Sequence, residues 1–137
     1  MAVISEKRFK ATREMLPFML AWVEQCSNND LTHSRSTRLL VAAEEALVNI
    51  VSYAYQHEQE KQELVIRRLL SEDTFILEFE DSGQAFNPLG DVKKSVEVCL
   101  PDMKPGGLGR LFMQKFVDDI SYLRTETKNI LRLIVRR

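Results

Sequence analysis

The chain has little of what most metal and redox chemistry needs. Among its 137 residues are two cysteines, Cys26 and Cys99, far apart and outside any CxxC spacing. Metal or redox chemistry at them is not expected, and free thiols in a reducing compartment, buried or in a loop, are the default. An excess of one charge is also missing. Nineteen basic residues face 20 acidic ones, a net charge of −1, so no global field draws the protein to nucleic acid or to an anionic membrane. The basic ending Arg132, Arg136 and Arg137 reads as a solvated strand end rather than a nucleic-acid patch. No apolar run approaches the roughly 18 residues of a membrane-spanning helix, and the opening MAVISEKRFK has no apolar signal-peptide region. Repeats, low-complexity tracts and linkers are absent too, so one cytoplasmic domain over residues 1–137 is expected.

Glycine and proline are scarce, five and four residues, and most of them fall in one stretch. Residues 82–106 hold Gly83, Pro88, Gly90, Pro101, Pro105 and Gly106, which predicts a loop with at most a short helical piece. So long a loop in a compact domain usually has a task, such as covering a ligand. Regular structure is expected on either side. AVISEKRF reads as a strand, and a helix follows over residues 15 to 26, with Pro17 in its first turn. NND breaks the chain, and Thr32 or Ser34 caps a longer helix to about Gln56. ELVIRRLL and TFILEFED read as strands. In the second, Phe75, Leu77 and Phe79 alternate with Ile76, Glu78 and Glu80, the period of a half-buried strand. A helix from GGLG to about Val117 leads to a closing hairpin, DISYLRT and NILRLIVRR. Helices segregated from a mixed sheet predict an α+β two-layer sandwich.

The segment EEALVNI, residues 44–50, puts two acids and an asparagine into an otherwise core-like helix. At about 100° per residue, Leu39, Ala43, Ala46, Leu47, Ile50 and Ala54 form one apolar stripe. Glu45 and Asn49, four apart, stack along one flank, and Glu44 lies on the other. The pair is either a solvent-facing border or a site in which Asn49 offers its carbonyl to Mg²⁺ while Glu45 orients or deprotonates a hydroxyl. The second reading needs a nucleotide site elsewhere in the chain.

Two further segments supply one. EFEDSGQAFNP ends a strand at Asp81, whose carboxylate can accept a hydrogen bond from an exocyclic amine such as adenine N6, and Gly83 lets backbone approach a flat ligand. KPGGLGRLFMQKF sets Gly106, Gly107 and Gly109 before a helix, where backbone N–H groups can face a phosphate. Either segment alone is weak, a turn or a helix start. Neither is a P-loop or a dinucleotide-binding glycine motif.

Taken in order, E-x-x-x-N on a helix, strand–D-x-G, loop and GGLG opening a helix resemble the GHKL (Bergerat) ATPase/kinase superfamily. Within it the whole chain is similar to the small anti-sigma-factor serine kinases of bacterial partner-switching systems (RsbW/SpoIIAB type). EEALVNIVSYAY resembles their E-A-x-x-N-x-x-x-H-x-Y box, EDSGQAFNP their D-x-G-x-x-F-D-P box, and GGLGRLFMQKFVDDISY their GGLG segment.

The resemblance implies a mixed, mostly antiparallel sheet covered on one face by helices, with an ATP lid at about 87–105. It implies ATP and Mg²⁺ as cofactors, Glu45 as general base or orienting group, and Asn49 as the Mg²⁺ ligand. Asp81 and Gly83 would take the adenine, with Phe86 in the same box. Gly106, Gly107, Leu108 and Gly109 would cradle the phosphates, and Lys104, Lys93 or Lys94 would reach the γ-phosphate. The implied partners are a STAS-type anti-sigma-factor antagonist, phosphorylated on serine, a sigma factor held inactive, and a second copy in a homodimer.

Four positions depart from the family pattern. Tyr53 stands where His is usual, Asn87 where Asp is common, and Asn129 near a nucleotide-contacting Thr. Arg110 is either an extra phosphate contact or solvent-facing. Two other readings stay open, a non-catalytic ATP-binding interaction module and a detached histidine-kinase-like ATPase domain. Against the latter, neither His33 nor His57 lies in a phosphoacceptor box and no dimerising helical hairpin is present. Met15, Met19, Met103 and Met113 are expected to be packing residues.

Overall fold

A computed structural model of the chain describes residues 2–55, 62–85 and 113–137. In chain order these form strand β1 (Ala2–Lys10), helices α1 (Leu16–Asp30) and α2 (His33–Asn49), and strands β2 (Glu63–Leu70), β3 (Thr74–Asp81), β4 (Asp119–Arg124) and β5 (Asn129–Arg136). Residues 113–116 are helical, the described end of the helix expected after the glycines. The strands make one sheet in the order β1-β2-β3-β5-β4. All four pairings are antiparallel, so among the described residues the sheet is not mixed. This is an α+β arrangement, the two-layer class expected from the sequence.

One face of the sheet meets the helices. Leu64, Ile66, Phe75, Leu77, Phe79, Leu131, Leu133 and Val135 alternate along β2, β3 and β5 and are buried together with Met19 and Val23 of α1 and Leu39 and Leu47 of α2. Ala42, Ala43 and Ala46 are fully buried, small side chains that let α2 lie close to the sheet. The two helices are also fastened to each other by a buried Ser27–Ser36 hydroxyl pair, 2.6 Å apart.

Helix α1 runs four residues past the expected end, through Asn28, Asn29 and Asp30. Local propensity predicts a break there, but Arg68 of β2 grips the Asp30 carboxylate, Nε to Oδ2 at 2.6 Å, and outweighs it. The chain turns at Leu31, and Thr32 caps α2 by accepting from the Arg35 N–H. Cys26 is buried on α1, and burial pushes its thiol pKa up, which suits an inert packing residue.

The opposite face of the sheet carries an ion ladder. Glu6, Arg67, Glu78 and Arg132 are cross-strand partners from β1 through β2 and β3 to β5. Arg67 donates to Glu6 at 3.0 Å and to Glu78 at 2.9 Å, and Arg132 donates to the other Glu78 oxygen at 2.8 Å. The half-buried pattern expected for β3 therefore needs correcting. Ile76 and Glu78, assigned to its exposed face, are buried, because β3 is a central strand flanked by long arginines. Replacing Glu78 by alanine is expected to lower stability by about 2 kcal/mol. That is less than a fully buried pair would lose, because Arg132 is partly exposed and Arg67 keeps Glu6 and Glu80. Urea unfolding should show a lower midpoint at unchanged slope; a loss below about 0.5 kcal/mol would reduce the ladder to surface pairs.

Candidate nucleotide site

The site is built where the C-terminal end of α2, the end of β3 and the β4–β5 hairpin meet. Helix α2 does not continue to Gln56 as an α-helix. After Asn49 it widens into a π-helical turn over Ile50–Ala54, a device that occurs often at functional sites. Two carbonyls of this turn take bonds from one residue across the gap. The Ala54 carbonyl accepts from the Gln84 backbone N–H and the Tyr53 carbonyl from the Gln84 side-chain amide, both at 2.9 Å. The helix end, which would otherwise leave such carbonyls unpaired, is thereby docked onto the turn following Asp81.

That turn is held from several sides. Asp81 is buried, and its Oδ1 accepts from the Gly83 N–H at 2.9 Å and from the Asn129 side-chain amide at 2.9 Å. Tyr55 accepts from the Ser82 N–H at 2.8 Å and donates to the Glu63 carbonyl at 2.7 Å. From the hairpin, Arg124 donates to the Gly83 carbonyl and Lys128 to the Ser82 hydroxyl. Gly83 is needed for close approach: a Cβ there would lie 2.2 Å from the Ala54 carbonyl oxygen. Burial raises the Asp81 pKa, opposed by the hydrogen bonds from Asn129 and Gly83 and by the charges of Arg124 and Lys128.

A small cavity of about 20 Å³ lies between Asn49, Ile50, Ala54, Asp81, Tyr122, Asn129 and Leu131. It has room for about one water. A larger concavity of about 430 Å³ lies on the outside, between α1 and α2. Its lining lacks a buried carboxylate and a converging hydrogen-bond network, so size alone does not locate the chemistry.

The sequence-predicted residues divide as follows. Asn49 and Asp81 share the cavity, and Asn49 sits inside the buried stripe rather than on its border. Glu45 is half-buried one turn earlier on α2, while Glu44 is exposed and lines the outer groove. Gly83 is packed under Ala54. Phe86, Asn87, Lys93, Lys94, Lys104, Gly106, Gly107, Leu108, Gly109 and Arg110, with the expected lid, lie outside the described residues. So do His57, Cys99 and Met103, whereas His33 opens α2, exposed, and Met19 and Met113 are core residues.

Sequence reading did not single out Tyr55, Tyr122, Arg124 or Lys128 for the site. The available signal was register: Arg124 and Asn129 are cross-strand partners, as are Asp81 and Asn129. Tyr122 lies two residues from Arg124, on the same face of β4.

Asn49 is the residue that would hold a hard divalent cation here, and the cation would supply charge neutralisation. Asn49 is 7% exposed, lines the cavity and makes no side-chain hydrogen bond to a described residue, and its carboxamide oxygen is the donor such an ion would use. Mg²⁺ typically takes one or two protein oxygens and completes its shell with water and phosphate. No group of three or more His, Cys, Asp or Glu occurs among the described residues, and a site of that kind does not require one.

The fold and this cluster define an ATPase domain of the GHKL class. The family model for the histidine kinase-like ATPase domain matches residues 9–135, and the chain belongs to that family. It is similar to the serine/threonine-protein kinase BtrW of Bordetella bronchiseptica, 32% identical over 116 residues that cover 83% of this chain and 80% of the relative. Among the described residues no helix is long and apolar enough to cross a membrane.

Proposed function

We propose that the protein is an ATP-dependent protein serine kinase and anti-sigma factor. It transfers the γ-phosphate of ATP to a serine of a STAS-type antagonist and, as a homodimer, sequesters a sigma factor in a partner-switching cycle. Phosphorylating the antagonist releases it and leaves the kinase free for the sigma factor. The observation that carries the reading is the buried Asp81 beside Asn49 in one cavity, one helical turn from Glu45, in a chain resembling a serine/threonine-protein kinase along most of its length.

The chemistry follows from the side chains. Among the described residues both hydrogen bonds to Asp81 end on Oδ1, and Oδ2 would accept from the adenine amine. Asn49 would hold Mg²⁺, which when bound neutralises charge on the β- and γ-phosphates. Glu45 orients the serine hydroxyl and takes its proton as the serine Oγ–P bond forms and the bond from phosphorus to the ADP oxygen breaks. Little else is required of the protein, because phosphoryl transfer depends mainly on positioning and electrostatics. The glycines at 106, 107 and 109 contribute backbone N–H groups to the phosphates in this reading.

Two measurements test it. Calorimetry should detect Mg-ATP binding, weakened at least about tenfold in Asn49→Ala. Incubation of labelled ATP with a STAS antagonist should then yield an acid-stable phosphoserine. Binding without any phosphoprotein would leave a non-catalytic interaction module, and an acid-labile product would point to histidine transfer.

A further inference from the structure

A second polar concavity, of about 300 Å³, lies at the opposite end of α2 from Asn49. Its wall gathers Arg35 and Arg38, exposed and three apart on one face of α2, with Lys115, exposed near the end of the helix at 113–116. The lining holds a single carboxylate, Asp118. Three positive groups against one negative make a cationic spot in a chain whose net charge is −1. Thr32 already caps the helix, so the charge here is that of side chains.

Backbone, not acid, sets the two arginines in place. Arg35 Nη1 donates to the Arg136 carbonyl at 3.0 Å, and Arg38 Nη2 to the Lys115 carbonyl at 3.2 Å. Arg38 also lies over the Phe116 ring, 5.4 Å from its centre. Each bond uses one of five N–H donors, so both guanidiniums keep donors and are positioned before anything arrives. Asp118 does not satisfy them. Its Oδ2 accepts from the Arg136 N–H at 2.7 Å and stands 3.9 Å from Arg35, beyond hydrogen-bond reach. Lys115 has no ion-pair partner among the described residues.

We propose that this concavity docks an acidic segment of a protein partner, its carboxylates paired with Arg35, Arg38 and Lys115. A planar guanidinium matches a carboxylate with two parallel bonds, and the cations come from two separate elements, which suits several carboxylates along a chain. A lone phosphate would leave most of the volume to water. Nucleic acid calls for a longer basic stripe than three residues in a chain of this net charge. Arg38 precedes Asn49 by 11 residues, roughly 16 Å along the helix, so a segment held here leaves the Asn49 cavity uncovered. The inference does not depend on the nucleotide reading.

The test is an NMR titration of the isotope-labelled full chain with three probes. They are a short capped peptide with acidic residues on either side of a leucine, the same peptide with each acid replaced by its amide, and inorganic phosphate. The acidic peptide should shift amides of residues 32–38 and 115–118 saturably, with a Kd below about 1 mM at low salt, and bind at least about fivefold tighter than its amide counterpart. Arg35→Gln combined with Arg38→Gln should weaken it about tenfold or more, and Lys115→Gln, which breaks no described side-chain contact, about twofold to threefold. Asp118→Asn should tighten it about twofold to threefold. That change removes the one competing carboxylate, while the amide oxygen can still accept from the Arg136 N–H. A merely structural role for these residues offers no route to tighter binding. The proposal is overturned if the acidic peptide fails to saturate by about 5 mM, if the amide peptide binds as well, or if the shifts fall elsewhere. Full displacement of the peptide by an equal concentration of phosphate would make this a small-anion site and overturn it too. Should the double arginine variant fail to fold, Lys115→Gln and Asp118→Asn decide, and unchanged affinity in both rejects the proposal.

Discussion

Replacing Glu45 by alanine is expected to slow single-turnover phosphotransfer by about 10²- to 10⁴-fold, the usual contribution of a positioned general base, while Mg-ATP affinity changes by less than about twofold. The split follows from position. Glu45 lies one turn before Asn49 on α2, and in the proposed mechanism it acts on the acceptor hydroxyl rather than on the base or the metal. It is half-buried and, among the described residues, has neither a hydrogen-bond nor an ion-pair partner, so none of their contacts explains a carboxylate there. Glu45→Gln separates its two possible roles. An amide can still orient a hydroxyl but cannot take its proton, so Gln should be as slow as Ala if Glu45 is the base, and clearly faster if it only orients. Glu44→Gln is the control. Its carboxylate is exposed beside Glu24 in the groove between α1 and α2, and its transfer rate should match wild type. Wild-type transfer by Glu45→Ala would sink the mechanism.

The separation of two adjacent glutamates shows how far periodicity reaches. About 100° of rotation per residue is enough to send Glu44 to the outer groove and to keep Glu45 on the flank of Asn49, and the same count locates the buried stripe from Leu39 to Ala54. The strands were legible from their alternation because β2, β3 and β5 present one apolar face to the helices. What periodicity misses is set by neighbours distant in the chain. The run IVSYAY has nothing to announce a π turn, whose carbonyls find partners only when Gln84 arrives from another segment. Asp30 extends α1 because an arginine 38 residues later reaches it. Glu78 is buried because β3 is central, which depends on β5 inserting between β3 and β4. Tyr122 joins the site only through a register that places Arg124 against Asn129 and Asn129 against Asp81. A one-residue slip would turn its hydroxyl to the other face of the sheet.

Gly83→Ala should abolish measurable Mg-ATP binding and cost stability as well, about 2 to 4 kcal/mol by analogy with overpacked core sites. The added Cβ would lie 2.2 Å from the Ala54 carbonyl oxygen and 2.6 Å from its carbon. Both are backbone atoms of the π turn, so no side-chain rotation relieves the clash. Something larger must move. The turn at 82–84 is tied by the Gly83 N–H on Asp81, the Gly83 carbonyl under Arg124, and the Gln84 N–H on Ala54. Moving it away from the helix therefore breaks the Gln84–Ala54 bond, draws a donor off Asp81 Oδ1 and separates Asp81 from Asn49. The alternative, unwinding the π turn, displaces Ile50 and Ala54, which help line the same cavity. Either route damages the Asp81 end of the site, proposed to read the base, before it reaches Glu45. Binding should consequently fail even at temperatures where circular dichroism shows the variant folded. A Gly83→Ala protein that binds Mg-ATP within about threefold of wild type would mean that the turn and the helix end can part without cost, and that the close approach of Gly83 to Ala54 does not define the site.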